Sequence, residues 1–290
     1  MPVAVIINPI SGGAGVEQSL VRARLASELL RARGEEGEVF VTERRGHARD
    51  LARAAAARGA RLVMAWGGDG TVNEVASALV FGQTPMAIVP SGSGNGLARE
   101  LGISTRAERA ITEGLVARPR SIDAGELGGS LFFSIAGIGL DAHVAACFDR
   151  VAGRRGFVTY ARMTAIALRA YQPKSYRING RVVRRALLVT FANAAQFGNG
   201  VRIAPSASVD DGKLDMVVFE EISRFATIRA LPRLLFGRVE RMRGWSTTLI
   251  EHATVEADEP MSYHVDGEPG QGGTRLEVRV HPAALRLCVR

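Results

Sequence analysis

The sequence predicts an α/β protein in which a mainly parallel, doubly wound sheet is followed by a β-rich second domain. Three observations support this fold class. Short apolar segments alternate with helix-like segments in the first third of the chain, glycine-rich loops follow three of those apolar segments, and strand-like segments dominate after about Asp123. Strand-loop-helix repeats are typical of sheets that bind ligands at the carboxyl ends of their strands.

The first third contains four predicted strands, each short and apolar. They are Val3–Ile7, 38–42, 61–66 and Met86–Pro90. Helical periodicity predicts helices over 17–33, 47–58, 73–79 and 96–101. Glycine follows the first two of these helices, at Gly34 and Gly59, and glycine commonly ends a helix.

The second domain is predicted from strand-like segments at 130–135, 182–191, 213–219, 248–255, 261–265 and 275–280. Two basic and apolar stretches, 151–171 and 222–242, interrupt them. Each is interpreted either as a helix packed on the sheet with solvated arginines or as an amphipathic helix on the protein surface that touches anionic lipid.

Composition narrows the class of protein. The 290 residues carry a net charge of +8, supplied almost entirely by arginine, because Lys174 and Lys213 are the only lysines. This charge favours anionic partners such as membranes and nucleotides. A nucleic-acid binder is not expected, since aromatic residues are just 6% and no binding module is recognisable. Two distant cysteines, Cys147 and Cys288, fit a reducing cytoplasm.

The chemistry is concentrated in three glycine-rich loops, each directly after a predicted strand. Their sequences are Asn8-Pro-Ile-Ser-Gly-Gly-Ala-Gly15, Gly67-Gly-Asp-Gly-Thr-Val-Asn-Glu74 and Pro90-Ser-Gly-Ser-Gly-Asn95. Glycine lets backbone N–H groups approach an anion, and a following helix N-terminus adds partial positive charge. Three such loops at one sheet edge predict a polyphosphate site.

The common nucleotide-binding motifs are missing from the sequence. Neither lysine lies in a P-loop, no Gly-x-Gly-x-x-Gly follows the first strand, and the protein-kinase motifs are absent. The three glycine-rich loops, which we call the phosphate cradle, must therefore belong to another family of nucleotide-binding proteins.

The complete motif series resembles the diacylglycerol kinase catalytic family, which includes bacterial lipid kinases, sphingosine kinases and ceramide kinases. The three glycine loops carry the resemblance, together with four later motifs in the same order. These are Thr42…Gly46-His47, Gly137-Ile-Gly-Leu-Asp141, Asp210-Asp-Gly-Lys-Leu-Asp215 and Val265-Asp-Gly-Glu-Pro269. The glycine-glycine-aspartate-glycine turn alone is shared with NAD kinases and phosphofructokinases.

The resemblance implies a Rossmann-like N-terminal domain with a parallel sheet, over residues 1–124 and completed by about 282–290. It also implies a β-sandwich C-terminal domain for the lipid substrate, over 125–281, with ATP bound between the two. The implied nucleotide contacts are Asn8, Ser11, Thr42, Gly67, Gly68, Asp69, Gly70, Thr71, Val72, Asn73 and Ser93.

Three acidic residues are the candidates for catalysis. A bare carboxylate at Asp69 would repel phosphates, so we expect Mg²⁺ between them, although a purely structural cap is the alternative. By resemblance, Asp266 or Glu268 is the general base that deprotonates the lipid hydroxyl, with Glu268 favoured. Asp123 joins the metal network by resemblance.

Two further sites are implied by the resemblance. A structural Mg²⁺ would be held by the Asp211 side chain and the backbone carbonyls of Ser208 and Lys213. Asp141 falls near the position where sphingoid kinases hold the substrate head group. The sequence departs from many bacterial relatives at Gly96, where an acid is common, and this removes one candidate for the metal network.

The leading hypothesis is therefore an ATP- and Mg²⁺-dependent lipid kinase acting on a diacylglycerol-like or sphingoid-like hydroxyl at an anionic membrane surface. The expected location is cytoplasmic and peripheral at the inner membrane, and a homodimer is left open. The alternatives are a kinase of a soluble alcohol such as NAD and a regulator without turnover.

Overall fold

A computed structural model describes residues 2–289 apart from 14, 150–156, 199–200, 222 and 224–241. The chain divides into two compact units, residues 1–122 with 283–290 and residues 123–282. The chain passes from one unit to the other within two strands, Pro119–Leu127 and Arg275–Cys288.

The first unit is built on a parallel sheet. Its strands are β1 (Val3–Ile7), β2 (Gly37–Val41), β3 (Leu62–Gly67) and β4 (Met86–Pro90). Its helices are α1 (Val16–Ala32), α2 (His47–Ala57), α3 (Asp69–Leu79), α4 (Gly96–Glu100) and α5 (Ala107–Val116). The strands are ordered β2-β1-β3-β4, all parallel. The predicted parallel, doubly wound sheet is confirmed.

Strand order determines where this sheet binds ligands. The chain moves from β1 outward to β2 and then returns to the other side of β1 as β3, so the direction of winding reverses between β1 and β3. Crevices at such reversal points, outside the carboxyl ends of the strands, are the usual ligand sites of open α/β sheets. Asn8 follows β1, and Gly67 is the last residue of β3.

The core of the first unit explains why its strands are continuous apolar runs. All five residues of β1 and of β4 are buried because helices cover both faces of a parallel sheet. The last strand of the chain adds to this unit, since Leu287 pairs in parallel with Met86.

The second unit is mainly antiparallel. Its strands are β5 (Pro119–Leu127), β6 (Ser130–Phe132), β7 (Ile135–Gly139), β8 (Lys174–Ile178), β9 (Arg181–Ala192), β10 (Gln196–Gly198), β11 (Val201–Arg202), β12 (Leu214–Glu220), β13 (Trp245–Ile250), β14 (His252–Glu256), β15 (Ser262–Val265), β16 (Glu268–Gln271) and β17 (Arg275–Cys288). The helices described are α6 (Leu140–Asp149) and α7 (Phe157–Ala170). Neighbouring strands follow the order β16-β15-β7-β9-β8-β14-β17, and β12 joins β9 to β13.

The structure corrects several predicted bounds. The segment 130–135 forms two strands, β6 and β7, and the segment 248–255 lies in two strands, β13 and β14. Helix α3 begins at Asp69, four residues before the predicted start. The stretch 151–171 contains α7, whereas 222–242 lies almost entirely outside the described residues. Within the described part of the chain, no helix has both the length and the apolarity of a membrane span.

Candidate phosphate cradle and acidic sites

The first and second glycine loops are tied together by Asn8. Its side-chain amide donates to the hydroxyl of Thr71 at 2.8 Å, and its side-chain oxygen accepts the N–H of Ile10 at 3.1 Å. Its own N–H donates to the carbonyl of Trp66 on β3. Asn8 therefore fixes the loop after β1 against the first turn of α3.

The first and third loops meet through two serines. The hydroxyl oxygens of Ser11 and Ser91 are 2.6 Å apart, and the hydroxyl of Ser11 also lies 3.1 Å from the carbonyl of Asn8. Because Ser91 directly follows β4, this contact spans the carboxyl ends of β1 and β4.

Arg22 of α1 is hydrogen-bonded to the first loop, a role that the sequence did not reveal. Its guanidinium donates to the carbonyl of Asn8 at 3.2 Å and to the hydroxyl and carbonyl of Ser11 at 3.0 and 3.1 Å. It also lies over the ring of Trp66, 5.9 Å from the centroid. Burial lowers the pKa of Arg22 from its ordinary value, because desolvation disfavours the charged form.

Asp69 connects the second and third loops. One carboxylate oxygen accepts the N–H of Asn95 at 2.8 Å and the other accepts the N–H of Gly96 at 2.7 Å, at the start of α4. Asn95 is itself fixed, since its side chain accepts from the N–H of Gly92 and donates to the carbonyl of Gly92. The residue at position 96 contributes its backbone N–H, so glycine suffices there.

Glycines allow the loops to approach more closely than side chains would permit. A Cβ atom on Gly92 would lie 2.6 Å from the Cα of Gly68, and one on Gly12 would lie 2.4 Å from the carbonyl oxygen of Ser91. Gly12 also has a φ of +73°, which disfavours other residues. The second and third loops therefore touch backbone to backbone.

The other predicted nucleotide contacts lie around this assembly. Thr42 follows β2 and is buried, and its N–H donates to the carbonyl of Ile7. Val72 and Asn73 are buried within α3, Gly70 lies in its first turn, and Ser93 is exposed on the third loop. The structure thus joins Asn8, Ser11 and Thr71 by hydrogen bonds, whereas Asp69 bonds separately to the third loop at Asn95 and Gly96.

Glu74 is a second residue that the sequence did not assign. Its two carboxylate oxygens accept the N–H groups of Gly46 and Ala48, at 2.8 and 3.1 Å. Carboxylates at a helix N-terminus satisfy donors that lack partners within the helix. Glu74 therefore ties α2, and the segment after Thr42, to α3.

The hairpin between β15 and β16 carries the two predicted bases in the second unit. Asp266 and Gly267 form its two-residue turn, with φ of +48° and +86°, and Val265 pairs with Glu268. The carboxylate of Asp266 accepts three backbone N–H groups, from Phe133 at 2.9 Å, Ser134 at 2.9 Å and Ile135 at 3.1 Å. Asp266 thus anchors its turn to the segment between β6 and β7, whereas Glu268 is half-buried at the first position of β16.

Asp141, the predicted head-group residue, is buried at the start of α6. Its carboxylate accepts the hydroxyl of Thr190 at 2.8 Å and the N–H of Ala142 at 2.9 Å. Substrate contact at Asp141 stays a prediction.

The predicted structural Mg²⁺ loop is organised by side chains that accept backbone N–H groups. Asp211 accepts the N–H of Lys213 at 3.0 Å, Asp123 accepts that of Gly212 at 2.7 Å, and Ser208 donates to Asp210. No cluster of three or more acidic, histidine or cysteine side chains suited to a metal occurs among the described residues. The predicted ligand set contains a single carboxylate and two carbonyls, so it stays a prediction.

These features define a parallel α/β unit with three glycine-rich loops at the carboxyl ends of its strands, combined with an antiparallel β unit. Residues 2–127 match the diacylglycerol kinase catalytic domain family, and residues 134–289 match the family described as the YegS C-terminal NAD kinase beta sandwich-like domain. The chain belongs to the diacylglycerol kinase-like lipid kinases, a family of phosphotransferases. The resemblance inferred from the motifs, and the predicted combination of folds, are confirmed.

Individual relatives cover nearly the whole chain. A Mycobacterium tuberculosis protein named diacylglycerol kinase is 29% identical over 296 residues, covering 98% of this chain and 94% of the relative. A Pseudomonas aeruginosa protein named as a YegS-like lipid kinase is 32% identical over 273 residues, covering 92% and 88%. A solved Bacillus anthracis structure described as a diacylglycerol kinase has a TM-score of 0.73 at 18% identity and covers 100% of this chain and 97% of that one, which shows a shared fold.

Proposed function

We propose that this protein is an ATP- and Mg²⁺-dependent lipid kinase that transfers the γ-phosphoryl group of ATP to the hydroxyl of a diacylglycerol-like or sphingoid-like lipid. The observation that carries the proposal is the group of three glycine loops bonded together at the carboxyl ends of β1, β3 and β4. Family membership supplies the reaction class, and the cradle supplies the means of holding a polyphosphate.

The start of α3 fits a phosphate group. Gly68 is the N-cap residue, and glycine has no side chain with which to cap this helix end. The first N–H groups of a helix lack partners within the helix and carry partial positive charge, so they bind anions. Gly68 and Gly92 let the second and third loops approach each other closely at this helix end, because a Cβ atom on either would lie within 3.2 Å of the backbone of the other.

Asp69 fits a magnesium contact shared with phosphate oxygens. Mg²⁺ is commonly held by one or two carboxylates together with substrate phosphates and water, so a three-residue protein cluster is not required. A carboxylate offers about four acceptor positions, and binding two backbone N–H groups is therefore compatible with a cation contact. When bound, Mg²⁺ neutralises charge on the transferring phosphoryl group.

The acceptor hydroxyl needs a base, and the β15–β16 turn presents two carboxylates. Three backbone N–H groups engage Asp266, which suits it to holding the turn. Glu268 is our proposed base, and it would take the hydroxyl proton as the oxygen attacks the γ-phosphorus and ADP leaves. Asp266 is the second candidate.

Phosphoryl transfer from labelled ATP tests this proposal. The acceptors are diacylglycerol, sphingosine and ceramide in mixed micelles, with NAD as the soluble alcohol. We expect a lipid product, and we expect Asp69→Asn and Glu268→Gln each to lower kcat/KM by about 100-fold or more. Glu259→Gln is the matched control, because Glu259 is exposed and paired only with Lys174 in the described contacts.

Each alternative gives a different outcome. Phosphorylation of NAD without any lipid product would refute lipid specificity and favour a soluble-alcohol kinase, a reading prompted by the NAD kinase-like description of the C-terminal match. ATP binding without transfer to any acceptor would favour a regulator. A large loss in Asp266→Asn with little loss in Glu268→Gln would move the base to Asp266.

Kinase activity at a lipid surface provides a second test of the proposal. The net charge of +8 should attract the protein to anionic vesicles, and this attraction weakens as salt shortens the screening length. We therefore propose a peripheral location at the cytoplasmic membrane face. Activity on anionic vesicles should fall with added salt, while activity on neutral micelles should change little; equal responses would refute the charge argument.

A further inference from the structure

A row of three residues crosses three neighbouring strands of the second unit. His264 on β15 pairs with Gly137 on β7, and Gly137 pairs with Thr190 on β9. Directly opposed residues project from the same face of a sheet. Because the middle residue is glycine, a gap lies between the side chains of His264 and Thr190.

Asp141 of α6 fills this gap. Its Oδ2 atom accepts the hydroxyl of Thr190 at 2.8 Å and lies 3.4 Å from Nε2 of His264. A Cβ atom on Gly137 would be 2.1 Å from the same oxygen, so only glycine leaves room for it. His264 is 0% exposed and Asp141 is 7% exposed. A buried carboxylate and a buried imidazole require such partners.

The other ring nitrogen of His264 faces the turn. Nδ1 accepts the N–H of Gly267 at 3.4 Å, and Gly267 lies between Asp266 and Glu268. An accepting Nδ1 carries no hydrogen, so in the neutral ring Nε2 carries it. Nε2 lies 3.4 Å from Oδ2 of Asp141, a close polar contact that does not reach hydrogen-bond geometry. A carboxylate that selects the tautomer and orientation of a histidine in this way is a familiar supporting arrangement.

We infer that Thr190, Asp141 and His264 form a positioning relay that fixes the turn bearing the carboxylates of Asp266 and Glu268. The relay contacts the turn through His264 of β15 and the N–H of Gly267, and the N–H groups of residues 133–135 hold Asp266 independently. Its catalytic consequence rests on the proposed function. Thr190 and His264 are not assigned to the reaction, and Asp141 is predicted only to contact the substrate head group.

Two independent changes break the relay. Thr190→Val removes the hydroxyl that holds Asp141, and Thr190→Ser is the matched variant that keeps it. Gly137→Ala places a methyl group where Oδ2 of Asp141 lies, and Gly273→Ala is its control, because a Cβ atom there meets nothing within 4 Å. Melting temperature, hydrogen exchange in residues 265–268, kcat and both KM values are measured for each.

We expect Thr190→Val and Gly137→Ala to speed exchange at the turn and to lower kcat about tenfold, the effect of losing roughly one net hydrogen bond at a reacting group. KM for ATP should stay within about twofold, because the glycine loops are not altered. KM for lipid should also stay within about twofold, which would separate positioning of the turn from the head-group contact predicted at Asp141. Thr190→Ser and Gly273→Ala should behave like the wild type. His264→Gln provides a third variant if either change prevents folding.

Other results would overturn the inference. Unchanged exchange at the turn in folded Thr190→Val and His264→Gln would show that the relay does not hold it. Faster hydrogen exchange at the turn with unchanged kcat would show that the relay has no role in catalysis. An Asp141→Asn variant that raised only the lipid KM would instead make Asp141 a head-group residue. If the wild type phosphorylated no lipid, the proposed function would fail, and exchange at the turn would still decide the relay.

Discussion

Substitution of Gly92 by alanine tests whether the glycine loops must touch for the cradle to bind phosphate. The added Cβ atom would lie 2.6 Å from the Cα of Gly68 and 2.9 Å from Oδ1 of Asn95. Both neighbours belong to the cradle. The closer contact is with backbone, so movement of a side chain cannot relieve it.

The size of the effect follows from this geometry. Carbon atoms pack at about 3.5–4.0 Å, so relief of the contact requires the second and third loops to separate by about 1 Å. Overpacking of this kind typically costs about 1–3 kcal/mol of stability. A misplacement of about 1 Å around a reacting group can cost about 100-fold in rate. We therefore expect weakened ATP binding and a drop in kcat/KM larger than the loss of folded protein explains.

The matched control is Gly15→Ala. Gly15 lies in the first loop with φ of −114°, and a Cβ atom there meets nothing within 4 Å. The control should show only the modest preference of helix N-caps for glycine over alanine. ATP titration and thermal unfolding of both variants provide the measurement. If Gly92→Ala bound ATP and turned over like the control, close loop contact would be unnecessary and the reasoning would be refuted.

Three other predictions concern the supports of the fold and cradle. Arg22→Lys keeps a cation but loses the guanidinium fork, so ATP affinity should fall about fivefold to tenfold in a titration; unchanged affinity would contradict the anchoring role. Glu74→Gln should lower the free energy of unfolding, measured in urea, by about 0.5–2 kcal/mol, because one of the two N–H groups at the start of α2 loses its carboxylate acceptor. Equal stability of the variant and the wild type would argue against this role of Glu74. The side-chain bond from Arg279 holds the pKa of Glu126 below its ordinary value of 4.5, with His281 adding to the effect. A lowered carboxyl pKa stabilises the folded state above pH 4.5, and this contribution is lost as the pH falls through the folded pKa. Arg279→Gln should therefore destabilise the protein at about pH 7, and its effect should shrink steadily as the pH is lowered below 4.5; an effect that did not change with pH would contradict the pairing.

Much of the first unit was predictable because its signals are local. Strands buried on both faces form continuous apolar runs, and glycine-rich loops mark their carboxyl ends. The start of α3 was misplaced because Gly70 weakens a helical pattern. In the folded protein, Asn8 fixes Thr71, and the first turn of the helix is thereby supported from outside its own sequence.

The parts of the site that sequence missed depend on contacts between distant segments. Arg22 has the appearance of an ordinary solvated charge on α1, and its role arises only where that helix approaches the first loop. The row of His264, Gly137 and Thr190 depends on the registers of β15, β7 and β9, which no local pattern specifies. Glu74 belonged to a recognised motif, and its attachment to α2 was hidden for the same reason.

The final strand has a consequence for how the protein folds during synthesis. One edge of β4 pairs with β3, and the other receives Leu287, while Leu285 and Leu287 are fully buried and the N–H of Phe81 donates to the carbonyl of Ala284. While the chain is still emerging, β4 therefore presents an open strand edge, a feature that favours mispairing with other chains. The open edge of β4 is covered only when residues 283–290 arrive, after residues 123–282 have been made. A nascent chain stalled before residue 283 should thus be more prone to aggregation than the finished protein.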